Sequence, residues 1–222
     1  SRYVVGTISP GPAQTINISV PAGTARLKVM LYWNDPPAAA VSSQTLINNL
    51  DLEVVTPAPA TVLPLILDTV PANIKNAAVN GVDNINNIEQ VVIDNPAAGS
   101  YTIRIIPTNI AVNPSQEYFI AYDFIPVETK LITPIGGEAY LQGENMMARW
   151  DSYGDPANPF TLEYSIDNGS NWILLRNNIT SDTRQYFYTA PDPNEWFIVP
   201  AVTTDQALMR ITRNSTALSG TS

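Results

Sequence analysis

Oxygen-bearing side chains crowd three short stretches of this sequence. Asp35 closes one apolar run, Asn48, Asn49 and Asp51 open another, and Asp83, Asn84, Asn86, Asn87 and Glu89 lead into a third. Carboxylates, amide carbonyls and backbone carbonyls are the hard oxygen donors that Ca²⁺ takes, in sets of about 6–8 at about 2.3–2.6 Å. The chemistry on offer is therefore cation binding, with Asp35, Asn48, Asp51, Asp83, Asn86, Asn87 and Glu89 as the expected calcium ligands. The same residue types also cap turns through their own side-chain hydrogen bonds, and no EF-hand spacing is present. Both readings stand at the level of sequence. Two of these acids would serve a glycosidase only with carboxyl groups about 5–5.5 Å or 6.5–9.5 Å apart in a sugar-sized cleft, a separation that linear spacing does not fix.

Other chemistry is excluded by composition. The 222 residues contain no His and no Cys. A Ser-His-Asp or Cys-His arrangement therefore cannot form within the chain, and neither can a zinc site built on Cys and His. No catalytic residue is expected, and the chain itself reads as a non-enzyme. Lys+Arg 11 against Asp+Glu 20 leaves a net charge of −9, which disfavours nucleic acid and anionic membrane surfaces as partners. No apolar run approaches the roughly 20 residues of a membrane helix. Charged residues make up only 14%, so the polar surface must lean on Asn, Thr, Ser and Gln. With 19 Pro, this composition suits a β-rich, loop-rich protein, secreted or at a cell surface. No leader-like segment opens the chain, which begins mid-pattern at Ser1-Arg2-Tyr3 and is expected to be a piece of something longer.

A second motif lies further along. Ser165-Ile166-Asp167-Asn168-Gly169-Ser170-Asn171-Trp172 has the form S-x-D-x-G-x-x-W. It resembles the Asp-box of sialidases and other secreted proteins, in which it is a hairpin away from the active site. The expected roles are structural. Asp167 accepts N–H bonds, with Ser165 beside it, Gly169 supplies a positive φ, and Trp172 packs beneath. A sialidase propeller needs repeated boxes, and one is present. Of the four Trp, Trp33 and Trp150 sit inside alternating runs and are expected in a core. Trp196, with Tyr153, is the candidate for contact with a sugar or another ligand.

The elements that must position these residues are strands. Thr15 to Val20, Arg26 to Trp33, Leu50 to Val55, Glu89 to Ile93, Tyr101 to Ile106 and Tyr118 to Phe124 alternate polar and apolar, as half-buried strands do. Pro21 to Thr24 and Asn95 to Gly99 are turns, while residues 34–49 and 68–88 are long loops. The one stretch with a helical look is Ala38 to Leu46. The pattern restarts near Ile125-Pro126, and strands are expected at Met146 to Trp150, Phe160 to Ser165, Trp172 to Leu175, Gln185 to Thr189 and Ala207 to Thr212. Asn214 to Ser222 reads as a loop cut off before a closing strand. The expectation is all-β, two β-sandwich domains in tandem, 1–126 and 127–222, the second truncated.

Four blocks carry a family likeness: Leu27 to Pro37, Asn48 to Val54, Asp83 to Val91, and Pro96 to Ile105. In order, they match a strand ending L-x-W-x-D-P-P, a strand N-D-L-D-L, then N-N-x-E-x-V and P-x-x-G-x-Y-T. Over roughly residues 15–124 the chain resembles the C-terminal β-sandwich domain of secreted bacterial subtilisin-like serine proteases. Asn49 departs from the family, which favours Asp there. The resemblance implies a jelly-roll-like accessory domain beside a protease domain of the same polypeptide, with the catalytic triad upstream. The second half is similar to immunoglobulin or fibronectin type III-like modules, through Pro134 to Glu138, Ala148-Arg149-Trp150 and the S-x-D-x-G-x-x-W hairpin. Gly220-Thr221-Ser222 matches the residues around a subtilisin nucleophile, a match read as chance. The functional expectation is a non-catalytic accessory region that stabilises the protease domain and assists engagement of a protein substrate or surface. The alternative is a carbohydrate- or cell-surface-binding sandwich whose partner is a surface glycan.

Overall fold

A computed structural model describes residues 2–154, 159–180, 194–214 and 219–221, with backbone alone for 194–198. It is all-β, two sandwiches in tandem, with no helix among the described residues. The chain divides into two compact units, Ser1–Ile125 and Pro126–Ser222.

The strands of the first unit are β1 (Arg2–Ile8), β2 (Gln14–Val20), β3 (Thr24–Trp33), β4 (Asn48–Val55), β5 (Thr61–Val62), β6 (Leu65–Ile66), β7 (Val79–Asn80), β8 (Ile88–Asp94), β9 (Gly99–Ile110) and β10 (Gln116–Pro126). One sheet has the order β1-β10-β3-β8 and the other β2-β9-β4-β5, with β6 and β7 a separate pair. Strands β1 to β4 alternate between the two main sheets, β5 stays beside β4, and β8 to β10 alternate again. Alternation within each strand follows from the pleat, which sends neighbouring side chains to opposite faces. Leu27, Val29, Leu31 and Trp33 of β3 point inward, as do Leu50, Leu52 and Val54 of β4, Tyr101, Ile103 and Ile105 of β9, and Tyr118 and Ile120 of β10. Burying each large apolar side chain contributes about 1.5–3 kcal/mol. Gly6 lets the Tyr118 ring lie flat across β1, since a Cβ there would fall 2.4 Å from the ring. The Tyr118 hydroxyl then donates to Gln14 Oε1 at 2.7 Å, tying β10 to β2.

The second unit holds β11 (Glu128–Thr133), β12 (Asn145–Tyr153), β13 (Phe160–Ser165), β14 (Ile173–Ile179), β15 (Asn194–Ile198), β16 (Leu208–Arg213) and β17 (Ser219–Thr221). Its sheets run β11-β12-β15 and β14-β13-β16-β17. Leu131, Met146, Ala148, Trp150, Phe160, Leu162, Met209 and Ile211 form the core, with the Trp150 and Phe160 rings 5.6 Å apart.

Three local expectations are corrected. Ala38–Leu46 is a loop with a turn, not a helix. Arg2–Ile8, which no alternation signal had marked, is a full edge strand paired to β10 from Arg2↔Tyr122 to Ile8↔Gln116. Ser219–Thr221 is a strand paired to β16, where a loop was expected. The expected strand Gln185 to Thr189 lies outside the described residues.

Candidate functional site

The polar cluster of the first unit resolves into two networks. The first closes the loop after β3. Asp35 accepts the N–H of Ile47 at 2.8 Å and of Asn48 at 2.7 Å, one on each oxygen. Asn48 is saturated. Its amide donates to the Val112 carbonyl and Gln116 Oε1, and its Oδ1 accepts the N–H of Ala111 and Val112. Its backbone carbonyl takes the Trp33 indole N–H at 2.9 Å. Asn87 exchanges two bonds with Trp33, its side-chain amide donating to the Trp33 carbonyl and its own carbonyl accepting the Trp33 N–H. Asp35, Asn48 and Asn87 are therefore engaged in staples that fix where β3 ends and β4 begins.

The second network sits where β8 meets β4. Glu89, only 2% exposed, accepts the Leu52 N–H on Oε2 at 2.7 Å, and its Oε1 has no partner. Asp51 accepts the Thr108 hydroxyl on one oxygen, and its buried Oδ1 has no partner. Asn49 donates its amide to Asn84 Oδ1 at 3.1 Å, and its own Oδ1 is buried without a partner. Asp83 anchors the loop before β8 by accepting the N–H of Ile85 and Asn86 and the Asn86 side-chain amide. Among the described residues no Lys or Arg is paired with Asp51, Asp83 or Glu89.

Such an arrangement is costly without a positive charge. An acceptor buried without a donor costs about 1–3 kcal/mol. Burial pushes the Glu89 carboxyl up to about 8, the Leu52 N–H offsetting part of that rise and the Asp51 and Asp83 charges adding to it. Asp51 is also raised, first by burial and then by Asp83, with the Thr108 bond opposing. Among the described residues no group of three acidic side chains is arranged to hold a metal ion by itself. An ion here would complete its shell with the Asn49 amide oxygen and further neutral oxygens, which is ordinary for Ca²⁺. The oxygens free to serve are Asn49 Oδ1, Asp51 Oδ1, Glu89 Oε1 and the second lone pair of Asp83 Oδ2. The structure thus brings together Asp51, Asp83 and Glu89 of the expected set, turns the Asn86 amide N–H groups toward Asp83, and adds Asn49. Its signal in the sequence was position: two residues before Asp51, on the same face of β4.

In the second unit, Ser165 Oγ donates to Asp167 Oδ1 at 2.7 Å and accepts the Gly169 N–H at 2.9 Å. Asp167 accepts the Asn171 N–H and its side-chain amide at 2.8 and 2.6 Å. Asn168 and Gly169 take φ of 55° and 82° to close the turn. Trp172 lies against Gly169, with the Arg210 guanidinium 4.0 Å from its ring and bonded to Glu163. The Ser165 and Asp167 side chains thus bond within the hairpin, while the Asn168 N–H donates to the Gln206 carbonyl and the Ile166 carbonyl accepts the Thr204 hydroxyl. Tyr153 ends β12 opposite Glu128, half-buried. Trp196 lies on β15 opposite Met147, its side chain outside the described residues.

No family model matches the chain. It is 32% identical over 96 residues to the Serine protease/ABC transporter B family protein tagA of Dictyostelium discoideum, a stretch that makes up 43% of this chain and 5% of that protein. Among solved structures it is similar to the Bacillus licheniformis lipase BlEst2 in propeptide form, with a TM-score of 0.33, 9% identity and coverage of 99% and 40%. It is also similar to the adhesin domain of Epf from Streptococcus pyogenes, with a TM-score of 0.36, 8% identity and coverage of 98% and 74%. Likenesses this distant carry no argument about function.

Proposed function

We propose that this chain is a non-catalytic accessory region of a secreted or surface-displayed bacterial subtilisin-like serine protease, and that it braces a peptidase domain of the same polypeptide. The observation that carries this reading is the 96-residue similarity to a protein named as a serine protease. The four sequence blocks agree with it. The strand orders β1-β10-β3-β8 and β2-β9-β4-β5, with β1 to β4 and β8 to β10 passing from sheet to sheet, support a jelly-roll winding for the first unit. The second unit is an immunoglobulin or fibronectin type III-like spacer. Bracing has a physical basis, because a domain interface suppresses the local opening through which a protease digests itself. Deleting residues 1–222 from the intact polypeptide should shorten the half-life of its peptidase activity; an unchanged half-life would count against bracing.

Calcium is part of this reading. The Asn49, Asp51 and Glu89 oxygens left without donors, with Asp83 beside them, support a site that pins the loop before β8 to β4. The ion would supply positive charge there and nothing chemical. The alternative, a carbohydrate- or surface-binding module, draws on a cavity of about 500 Å³ in the second unit whose walls include Tyr140, Tyr164, Glu138 and Asp205. Binding of the intact chain on a glycan array, lost with Tyr140→Ala, would favour it.

A further inference from the structure

The cavity of about 500 Å³ in the second unit lies at the end of the sandwich where β16 begins. The β11–β12 connection lines it with Pro134 to Tyr140, and the β15–β16 connection with Val199 to Ala207. Met146 of β12, Tyr164 of β13 and Met209 of β16 line it from the core side, and Tyr164 stands opposite Met209. Five polar side chains also line it: Glu138, Tyr140, Tyr164, Thr204 and Asp205. Thr204 is occupied, donating to the Ile166 carbonyl and accepting the Gln206 N–H, both at 3.0 Å. Glu138 accepts the Ile135 N–H on Oε1 at 2.7 Å, a bond that holds its carboxyl below the ordinary value and keeps it charged. The Tyr140 hydroxyl is raised by burial and then by the Glu138 charge, so ring and carboxylate are neighbours. Asp205 adds a second, exposed carboxylate.

Among the described residues no Lys or Arg lines this cavity. Lys130, Arg149 and Arg210 occupy the outward positions of their strands, next to the inward Leu131, Ala148 and Met209. Arg213 is at the far end of β16, opposite Phe160, and Arg176 is on β14, which does not line the cavity. The site therefore joins two uncompensated carboxylates and two phenol rings to a floor of thioethers. Its size is that of ordinary ligand pockets, about 300–1,000 Å³. Methionine adapts to irregular apolar guests. An aromatic face and a carboxylate both attract a cation. An anion would meet like charge, and a sugar would leave hydroxyls unpaired against Met146, Met209 and Leu208. A long aliphatic stem ending in a positive charge satisfies both parts, since Lys and Arg lay their stems on apolar surface and keep the head polar. Apolar surface also continues past the cavity. Ile135 and Leu141, which flank the lining residues 136–140, are each 72% exposed, and Val202 on the other connection is 45% exposed. That surface suits the neighbours of a basic residue within a peptide better than a lone amine.

We propose that this cavity is a peptide-binding site that takes a Lys or Arg side chain, its stem on Met146, Met209 and Leu208 and its charged head met by Glu138, Asp205 and the Tyr140 ring. The site goes beyond the accessory reading and holds without it. The test is titration of the 222-residue chain followed through isotope-labelled methionine methyl signals. The chain has four Met: Met146 and Met209 line the cavity, while Met30 in the first unit and Met147 on the outward face of β12 serve as references. The probes are acetyl-Leu-Lys-Leu-amide, the same peptide with norleucine in place of Lys, n-butylammonium and a chitin trisaccharide. The lysine peptide should shift Met146 and Met209 saturably and leave Met30 in place. The norleucine peptide and n-butylammonium should each bind several-fold more weakly. Glu138→Gln combined with Asp205→Asn should weaken the lysine peptide several-fold and leave the norleucine peptide unchanged. The melting temperature should stay that of the parent, since both positions are exposed and Gln still accepts the Ile135 N–H. Equal affinity for the lysine and norleucine peptides would overturn the proposal, as would the absence of any shift at Met146 and Met209. Binding of n-butylammonium as tight as that of the peptide would assign the cavity to a free amine and overturn the peptide site. Shifts with the trisaccharide and none with the peptide would give the cavity to a glycan and overturn it as well.

Discussion

Glu89 on β8 accepts the Leu52 N–H of β4 at 2.7 Å, joining the two sheets, while its other oxygen meets no donor. One carboxylate thus makes a structural bond and leaves a buried acceptor open. The Asp51 and Asp83 charges act on this carboxyl, and Asp51 Oδ1 and Asn49 Oδ1, two residues apart on β4, are likewise buried without donors. A hard cation is the simplest group that would satisfy all of them at once.

Calcium should therefore raise the melting temperature of the chain, and chelator should reverse the gain. At about 100 times the dissociation constant the stabilisation is about 2.7 kcal/mol. Glu89→Gln separates this from general loop polarity. The amide can still accept the Leu52 N–H and can donate to a neighbouring acid, so the variant should melt higher than its parent in chelator. It should also lose most of the response to calcium. An undiminished calcium response in Glu89→Gln would remove this residue from the site.

Asp35 is the single acceptor for two consecutive amides across the mouth of the 36–46 loop. Asp35→Ala leaves both without that partner and should cost about 1–3 kcal/mol. Limited proteolysis should then cut within Ala38–Gln44 well before the sandwich unfolds. Asp35→Asn keeps one acceptor and should show a smaller loss. Identical nicking rates in all three proteins would contradict the assignment.

The Asp167 carboxyl is held down to about 2, chiefly by the Asn171 side-chain amide, then by Ser165 and the Asn171 N–H. A depressed acid stabilises the fold above its ordinary value of 3.8 and loses that contribution as pH falls through the folded value. The second unit should therefore loosen between about pH 4 and pH 2. Asp167→Ala should flatten that dependence, followed by acid titration of tryptophan fluorescence. A variant that loosens with the same acid profile as the parent would place the titrating group elsewhere.

Much of the fold was legible because its strands alternate. Leu27, Val29, Leu31 and Trp33 sit in the core where a period of two puts them. β1 escaped because Gly6 interrupts its inward positions and Tyr3 and Val5 make its outward positions apolar, so no polar face marks the strand. For the polar cluster, residue type brought Asp35, Asn48, Asp51, Asp83 and Glu89 together as one set. The structure divides them by place: Asp35 and Asn48 brace the loop after β3, while Asp51, Asp83 and Glu89 act on one another where β8 meets β4. That division depends on register between β4, β8 and the loop carrying Val112, which no local pattern encodes. Asn49 was passed over because it stands where the resembled family favours Asp, although its amide oxygen is a hard donor in its own right.

The most direct test of the central claim is an active-site-directed fluorophosphonate on the full-length polypeptide, followed by mapping of the labelled serine. The account predicts one labelled serine outside residues 1–222 and none within the chain expressed alone. Failure of the full-length protein to label at any serine, or a label on a serine within these 222 residues, would contradict it.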